Sequence, residues 1–91
     1  MMYLQVKWTH SLSSEPVVMY SEIDQDGWEL RKVEVYADGR MGFASSSESK
    51  AGSGLSKEPL PSIDEIAADP QFEPAEINQI DFERIWAKAH S

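Results

Sequence analysis

The chain has 91 residues, enough for one domain and too few for two of ordinary size. Sixteen acidic residues stand against eight lysines and arginines, and the resulting net charge of −8 argues against nucleic acids and anionic membranes as partners, since both require cationic patches. The absence of cysteine excludes disulfides, thiolate zinc sites, iron–sulfur clusters and cysteine nucleophiles. Hydrophobic residues make up 41% of the chain, which is sufficient for a core.

The first half of the chain predicts four antiparallel strands within residues 2–45. Each is an apolar run, or an alternation of apolar and polar residues, bounded by turn residues. In the third strand the apolar residues change parity, which predicts either a β-bulge near Arg31 and Lys32 or a strand that is buried on both faces at one end. Asp24–Gly27 and Asp38–Gly39 are typical turn sequences, so we expect consecutive strands to pair as a meander. The four predicted strands are Leu4–Thr9, Val17–Ile23, Trp28–Tyr36 and Arg40–Ala44.

Residues 45–57 have the composition of a flexible loop, with six serines and two glycines among thirteen residues. Gly52 and Gly54 allow backbone N–H groups to converge on an anion. No lysine stands at P-loop spacing and no helix start follows directly, which favours a solvated connector. We therefore predict a single domain over residues 1–91 that contains a flexible serine- and glycine-rich loop at 45–57.

The last third of the chain predicts two helices. Ser62 and Glu65 match a capping box, which places one helix start near Ile63. Asn78 is suited to cap a second helix that starts near Gln79. This second helix has an apolar face at positions i, i+3, i+4 and i+7, formed by Phe82, Ile85, Trp86 and Ala89.

Strands followed by helices are the signature of an α+β fold. We expect an antiparallel four-stranded N-terminal sheet with the two C-terminal helices packed on one face. Phe72–Ile77, which contains Pro74, is expected to be extended between the helices. The expected core residues are Val6, Trp8, Met19, Val33, Val35, Phe43, Ile66, Phe82, Ile85 and Trp86.

His10 is one of only two histidines and the one that suggests chemistry. Paired with Glu15 or Glu22 it would act as a general base in a small enzyme or ligand-binding domain. No nucleophile accompanies it, which favours a histidine that packs or hydrogen-bonds locally, and we assign no catalytic residue. We also expect no metal and no organic cofactor, because Asp24–Gly27 lacks the twelfth-position glutamate of a calcium loop and no phosphate-binding motif is present.

The charge distribution gives the strongest functional signal. Residues 58–83 carry eight acidic residues and no lysine or arginine, so the whole charge excess lies in this stretch. One interpretation is that these acids complement helix dipoles and cover a solvated face. The other is an acidic docking surface for a basic protein, with Trp28 either as an interface anchor or as a core residue that starts a strand. The candidate partner-binding residues are Asp64, Glu65, Asp69, Glu73, Glu76, Trp28 and His10.

Several short motifs make the chain resemble a known family. They are WTH, EP, YSE, WELRKVE, DGRMGFAS and FERIW, and together they span nearly the whole sequence. These motifs resemble those of a family of small bacterial proteins of unknown function, a resemblance that implies no catalytic residue. Small acidic families of this kind are similar to the immunity proteins of bacterial toxin systems.

Two functional hypotheses follow from the sequence. The first is a cytoplasmic protein-binding module, in its most specific form an immunity-type inhibitor of a basic bacterial toxin. The second is a small enzyme or ligand-binding domain near His10. Homodimerisation through a sheet edge is a further hypothesis. The cytoplasmic location is expected because Met1–His10 does not match a signal peptide and no apolar run is long enough to cross a membrane.

Overall fold

In the computed structural model, which describes all 91 residues, six strands form one antiparallel sheet and two helices pack on it. The sheet order is β5-β4-β3-β2-β1-β6, so the chain forms a meander and then returns to pair with its first strand. No helix is long and apolar enough to span a membrane. The elements are β1 Met2–Trp8, β2 Val18–Ile23, β3 Glu29–Val35, β4 Met41–Ser45, β5 Ser49–Lys50, α1 Ile63–Ala67, β6 Phe72–Ile77 and α2 Gln79–His90.

The α+β class and the antiparallel sheet are confirmed, but the prediction of four strands is wrong because β5 and β6 join the sheet. β5 has only two residues and no apolar periodicity that a sequence could reveal. β6 was expected only to be extended between the helices. It is an edge strand in which Pro74 lies opposite Val6 of β1, and an edge tolerates a proline because the missing N–H has no second strand to bond.

The first helix, α1, covers one face of the sheet, which we call the α1 face. Leu4 and Val6 of β1 and Ile23 of β2 form a buried cluster there, and Ile63 and Ile66 of α1 pack against it. The Ser62–Glu65 capping box predicted for this helix is present. Packing therefore stabilises a helix of only five residues, which would be marginal alone.

The second helix, α2, covers the opposite face, which we call the α2 face. Its residues Ile85 and Trp86 pack against Val33 of β3 and Phe43 of β4, and Phe82 of α2 is fully buried. The strand register shows that Val33 and Phe43 are cross-strand partners, on the side of the sheet away from Leu4. The predicted Asn78 cap is present as well, because the Asn78 side chain accepts a hydrogen bond from the backbone N–H of Asp81.

The prediction that both helices pack on one face is therefore wrong. Both faces of the central strands carry apolar side chains, and each face needs its own cover to exclude water. β6 runs along the edge beside β1, and it separates α1, which precedes it, from α2, which follows it. The chain thus passes from one face to the other by way of the edge strand.

The predicted β-bulge is present in β3. Glu22 of β2 pairs with Arg31, and the next β2 residue, Ile23, pairs with Glu29, so Leu30 is the extra residue. The bulge brings Glu29 onto the same face as Lys32, three residues later. Arg31 therefore points to the α2 face, whereas both of these charged neighbours point to the α1 face.

The serine-rich segment 45–57 makes several contacts with the sheet. β5 within it pairs with β4, and the buried Ser53 donates a hydrogen bond from its hydroxyl to Glu34 of β3. The backbone N–H of Ser56 donates to Glu29. That the segment is flexible remains a prediction. Its contacts with the sheet are made by β5, Ser53 and Ser56.

A methyl group at Gly42 tests how firmly this segment is packed. A Cβ at Gly42 would lie 2.5 Å from the Ser53 hydroxyl and 2.9 Å from the Lys50 carbonyl oxygen, too close for either group to remain in place. We expect Gly42→Ala to lower the free energy of unfolding by about 1–3 kcal/mol, measured by urea denaturation. Gly54→Ala is the matched control, because a Cβ there meets nothing within 4 Å. Equal stability of the two variants would show that residues 50–53 move aside freely.

Candidate functional site

The acidic stretch 58–83 remains almost entirely unneutralised in the folded chain. Of its eight carboxylates, only that of Glu83 forms an ion pair, with Arg31. The other seven side chains belong to exposed residues that have no cationic partner within the chain. These seven are Glu58, Asp64, Glu65, Asp69, Glu73, Glu76 and Asp81.

Four of the seven unpaired acids lie on α1 or on the edge strand β6. Asp64 lies in the first turn of α1, on the α1 face. Glu76 lies opposite Leu4 and therefore points to the same face, whereas Glu73 lies opposite Lys7 and points to the other. The acidic surface consequently wraps round this edge of the sheet and is not confined to one helix face. The acids expected to bind a partner are thus brought into one region, although on both sides of β6.

A cleft opens between α1 and the sheet, and we call it the α1 cleft. Its volume is about 380 Å³. Two of the unpaired acids, Glu65 and Asp69, line it on its solvent side, and Glu29 and Lys32 line it from the sheet. Its apolar lining consists of Leu4, Val6, Met19, Leu60, Ile66 and Phe72. A largely apolar cleft with a few polar groups is the usual form of a binding site.

The charged groups at the floor of the α1 cleft, those of Glu29 and Lys32, find their hydrogen-bond partners within the chain. The side chain of Glu29 is 1% exposed and accepts hydrogen bonds from the Ser21 hydroxyl at 2.6 Å and the Ser56 backbone N–H at 2.9 Å. The ammonium group of Lys32 lies 3.2 Å from the same carboxylate and donates to the Gly54 carbonyl oxygen at 2.9 Å. A buried charge with this many partners is stable, and it ties the loop after β5 to the sheet.

On the α2 face, Arg31 joins three strands to α2. Its guanidinium forms two hydrogen bonds to Glu22, at 2.7 and 2.8 Å, and two to Glu83, at 3.0 and 2.7 Å. The Tyr3 hydroxyl of β1 donates to Glu22 at 3.0 Å. We call Arg31, Glu22, Glu83 and Tyr3 the Arg31 cluster. Paired hydrogen bonds between a guanidinium and a carboxylate are among the strongest in proteins.

The surroundings of the Arg31 cluster shift its proton equilibria. Hydrogen bonds from Arg31 hold the pKa of Glu22 and that of Glu83 below their ordinary values, and these carboxylates raise the pKa of Arg31 in turn. The guanidinium carbon also lies 4.9 Å from the ring centre of Phe82 and 5.1 Å from that of Trp86. The cation therefore packs on two aromatic rings as well as bonding two anions.

His10 is occupied by local backbone groups. Its Nε2 lies 2.8 Å from the Pro16 carbonyl oxygen, and its Nδ1 accepts a hydrogen bond from the Leu12 N–H at 2.9 Å, an arrangement that suits a neutral ring. Glu22 belongs to the Arg31 cluster, and neither it nor Glu15 hydrogen-bonds to His10. The structure therefore shows no hydrogen bond from His10 to either carboxylate, which the general-base hypothesis requires. A role for His10 in partner binding stays a prediction.

Trp28 is 43% exposed, so the interpretation of it as a core residue is wrong. It follows the turn Asp24–Gly27, and the carbonyl oxygen of Gly27 accepts a hydrogen bond from the backbone N–H of Leu60, just before α1. The exposed indole thus stands beside the start of the acidic stretch. Its role as an interface anchor stays a prediction.

His90 and Glu48 form a contact that the sequence did not reveal. The His90 ring stacks on Phe43 at 3.8 Å between centres, and its Nε2 lies 2.8 Å from the Glu48 carboxylate, 42 residues earlier in the chain. Its Nδ1 lies 2.8 Å from the Trp86 carbonyl oxygen. No local pattern predicts a pairing over this sequence distance.

Comparison with known proteins gives one match. A family model described as "Domain of unknown function (DUF6881)" matches residues 2–91. The chain belongs to this family. No curated protein and no solved structure matches it. Membership of an uncharacterised family is thus established, and the description of the family assigns no chemistry to the α1 cleft or to the acidic surface.

The Arg31 cluster predicts how stability depends on acid. Because the pKa of Glu22 is depressed below 4.5 in the folded chain, its stabilisation is present above that value and is lost as pH falls through the depressed pKa. We expect Glu22→Gln to be less stable than wild type by about 2 kcal/mol at pH 7, with the difference shrinking below pH 4.5. The measurement is urea denaturation over a pH series, with exposed Glu15→Gln as the control. A difference that stays constant with pH contradicts the prediction.

His90 predicts a pH dependence of the opposite sign. Its hydrogen bond to Glu48 raises the pKa of His90 above 6.5, so the stabilisation is complete below 6.5 and is lost as pH rises through the folded pKa. We expect Glu48→Gln to lower the pKa of His90, measured from its ring C–H signals by NMR, and to lower the melting temperature only on the acidic side. Glu76→Gln, on the edge strand farthest from β5, should leave the pKa of His90 in place. An unchanged pKa in Glu48→Gln means that the contact does not persist in solution.

Proposed function

We propose that this chain is a cytoplasmic protein-binding module that recognises a basic protein through the acidic surface of residues 58–83. The observation that carries the proposal is the separation of charge in the folded chain. Four of the eight acids outside this stretch form ion pairs, whereas only Glu83 does so within it. Seven exposed carboxylates of this stretch therefore lack a counter-charge that a basic partner would supply.

The physical effect of such a surface is mainly on association. A field of one sign attracts a cationic partner from a distance and raises the rate of productive encounter. Affinity then requires some apolar contact that excludes water, and two features beside the acids offer it. One is the exposed indole of Trp28, and the other is the α1 cleft.

The more specific form of the proposal, an immunity-type inhibitor of a basic bacterial toxin, rests on similarity in size and charge to that class of proteins. An inhibitor of this kind needs a stable fold, a charged surface and an anchor, and it needs no catalytic group. The enzyme hypothesis has less support, since backbone groups occupy both ring nitrogens of His10.

Charge reversal tests the proposal. The partner is captured from the native host on immobilised protein and identified by mass spectrometry, and its association rate is then measured over a salt series. We expect Glu58→Lys, Asp64→Lys and Glu76→Lys together to slow association by about tenfold or more at low salt, with the difference from wild type fading as salt shortens the Debye length. Glu73 is left unchanged because it lies opposite Lys7.

A second triple variant controls for net charge. Glu15→Lys, Asp26→Lys and Asp38→Lys change the total charge equally but lie outside the acidic stretch. Circular dichroism must show that both variants fold. If both slow association equally, only net charge matters, and if neither does and the rate is insensitive to salt, the acidic stretch is only a solvated face.

A further inference from the structure

The α1 cleft combines an apolar interior with an acidic opening. Leu4 and Met19 on the sheet and Leu60, Ile66 and Phe72 around them supply the interior. Its volume of about 380 Å³ lies at the lower end of the range for ligand cavities. A cleft of this size suits one side chain or a small molecule, and it is too small for a helix.

The two carboxylates at the opening are unpaired but held in place. One oxygen of Glu65 accepts hydrogen bonds from Ser62 in the capping box, and one oxygen of Asp69 accepts from the backbone N–H of Gln71. The other oxygen of each forms no hydrogen bond within the chain. Glu65 belongs to α1, and Asp69 lies in the turn just after the helix, so the two carboxylates reach the cleft from different segments. A cation at the opening would pair with both of them.

The charge of the whole lining also favours a cation. Three carboxylates and one ammonium group line the cleft, which gives a net charge of −2. Lys32 and Glu29 at the floor satisfy each other, so the uncompensated charge lies at the opening. An anion would be repelled, and a neutral apolar ligand would desolvate the two carboxylates without pairing them.

We propose that the α1 cleft binds a single arginine side chain of the basic partner. The three methylene groups of arginine would lie on the apolar interior, and the guanidinium would reach Glu65 and Asp69 at the opening. Arginine fits better than lysine because its planar guanidinium presents five donors and can serve two carboxylates at once. This assignment rests on the proposed function, because it names the group of the basic partner that the module would recognise.

Methionine methyl NMR tests the proposal without the partner. Met19 lines the cleft, and Met41 packs on the opposite face and serves as an internal reference. The probe is the blocked peptide Ac-Gly-Arg-Gly-NH₂, with citrulline in place of arginine as a neutral analogue of the same shape. We expect the arginine peptide to shift the Met19 methyl signal saturably and to leave Met41 unmoved. The citrulline and lysine peptides should bind about tenfold and about threefold more weakly.

Two double variants locate the effect. Glu65→Gln with Asp69→Asn removes both charges at the opening, and glutamine preserves the capping box at this position. We expect it to weaken binding of the arginine peptide by about tenfold. Glu15→Gln with Asp26→Asn is the matched control, since it changes net charge equally at two exposed acids that neither line the cleft nor belong to the acidic stretch. It should change binding by less than about twofold.

Each contrary outcome has a definite meaning. The proposal is overturned if Met19 does not shift, if citrulline binds as well as arginine, if lysine binds more tightly, or if both double variants weaken binding equally. These failures leave the proposed function standing, because charge reversal at Glu58, Asp64 and Glu76 tests it separately through the association rate. In the converse outcome, the cleft binds the arginine peptide while no partner shows salt-dependent association. Arginine recognition by the cleft would then stand without the proposed role of the acidic surface.

Discussion

Arg31 bonds two carboxylates from different elements, and the arrangement of the α2 face depends on it. It holds Glu22 of β2 and Glu83 of α2 by paired hydrogen bonds, and it packs on the rings of Phe82 and Trp86. A helix on a sheet is positioned only loosely by apolar contacts, which are not directional. The directional bonds of the guanidinium specify how α2 lies across the strands.

A single extra residue in β3 lets charged side chains serve both faces. The bulge at Leu30 brings Glu29 onto the α1 face with Lys32, while Arg31 points to the α2 face. The two faces thus each contain an ion pair of long-range structural effect, one fixing α2 and the other fixing the loop beside the α1 cleft. Glu22 and Glu29 serve this internal purpose, whereas seven of the eight acids of residues 58–83 form no ion pair within the chain.

For the candidate site, the sequence was informative about charge and uninformative about shape. The acidic stretch was evident from composition. That all its acids except Glu83 lack an ion pair was decided by the tertiary structure, because cations elsewhere in the chain could have reached them. The α1 cleft was not predictable, because Leu4, Met19 and Glu65 come together only when β1, β2 and α1 pack. The exposure of Trp28 was equally undetermined, since a tryptophan after a turn fits a core or a surface.

The sequence by itself determined whatever depends on near neighbours: the turns, the Asn78 and Ser62 caps, the bulge and the parity of the strands. These features involve hydrogen bonds and side-chain alternation over a few residues, and so a short stretch of sequence is enough to predict them. Only the tertiary structure decided that β6 pairs with β1, that the helices lie on opposite faces, and that Arg31 meets Glu83, 52 residues away. Such choices depend on which arrangement buries both apolar faces of the sheet, and that is a property of the whole chain.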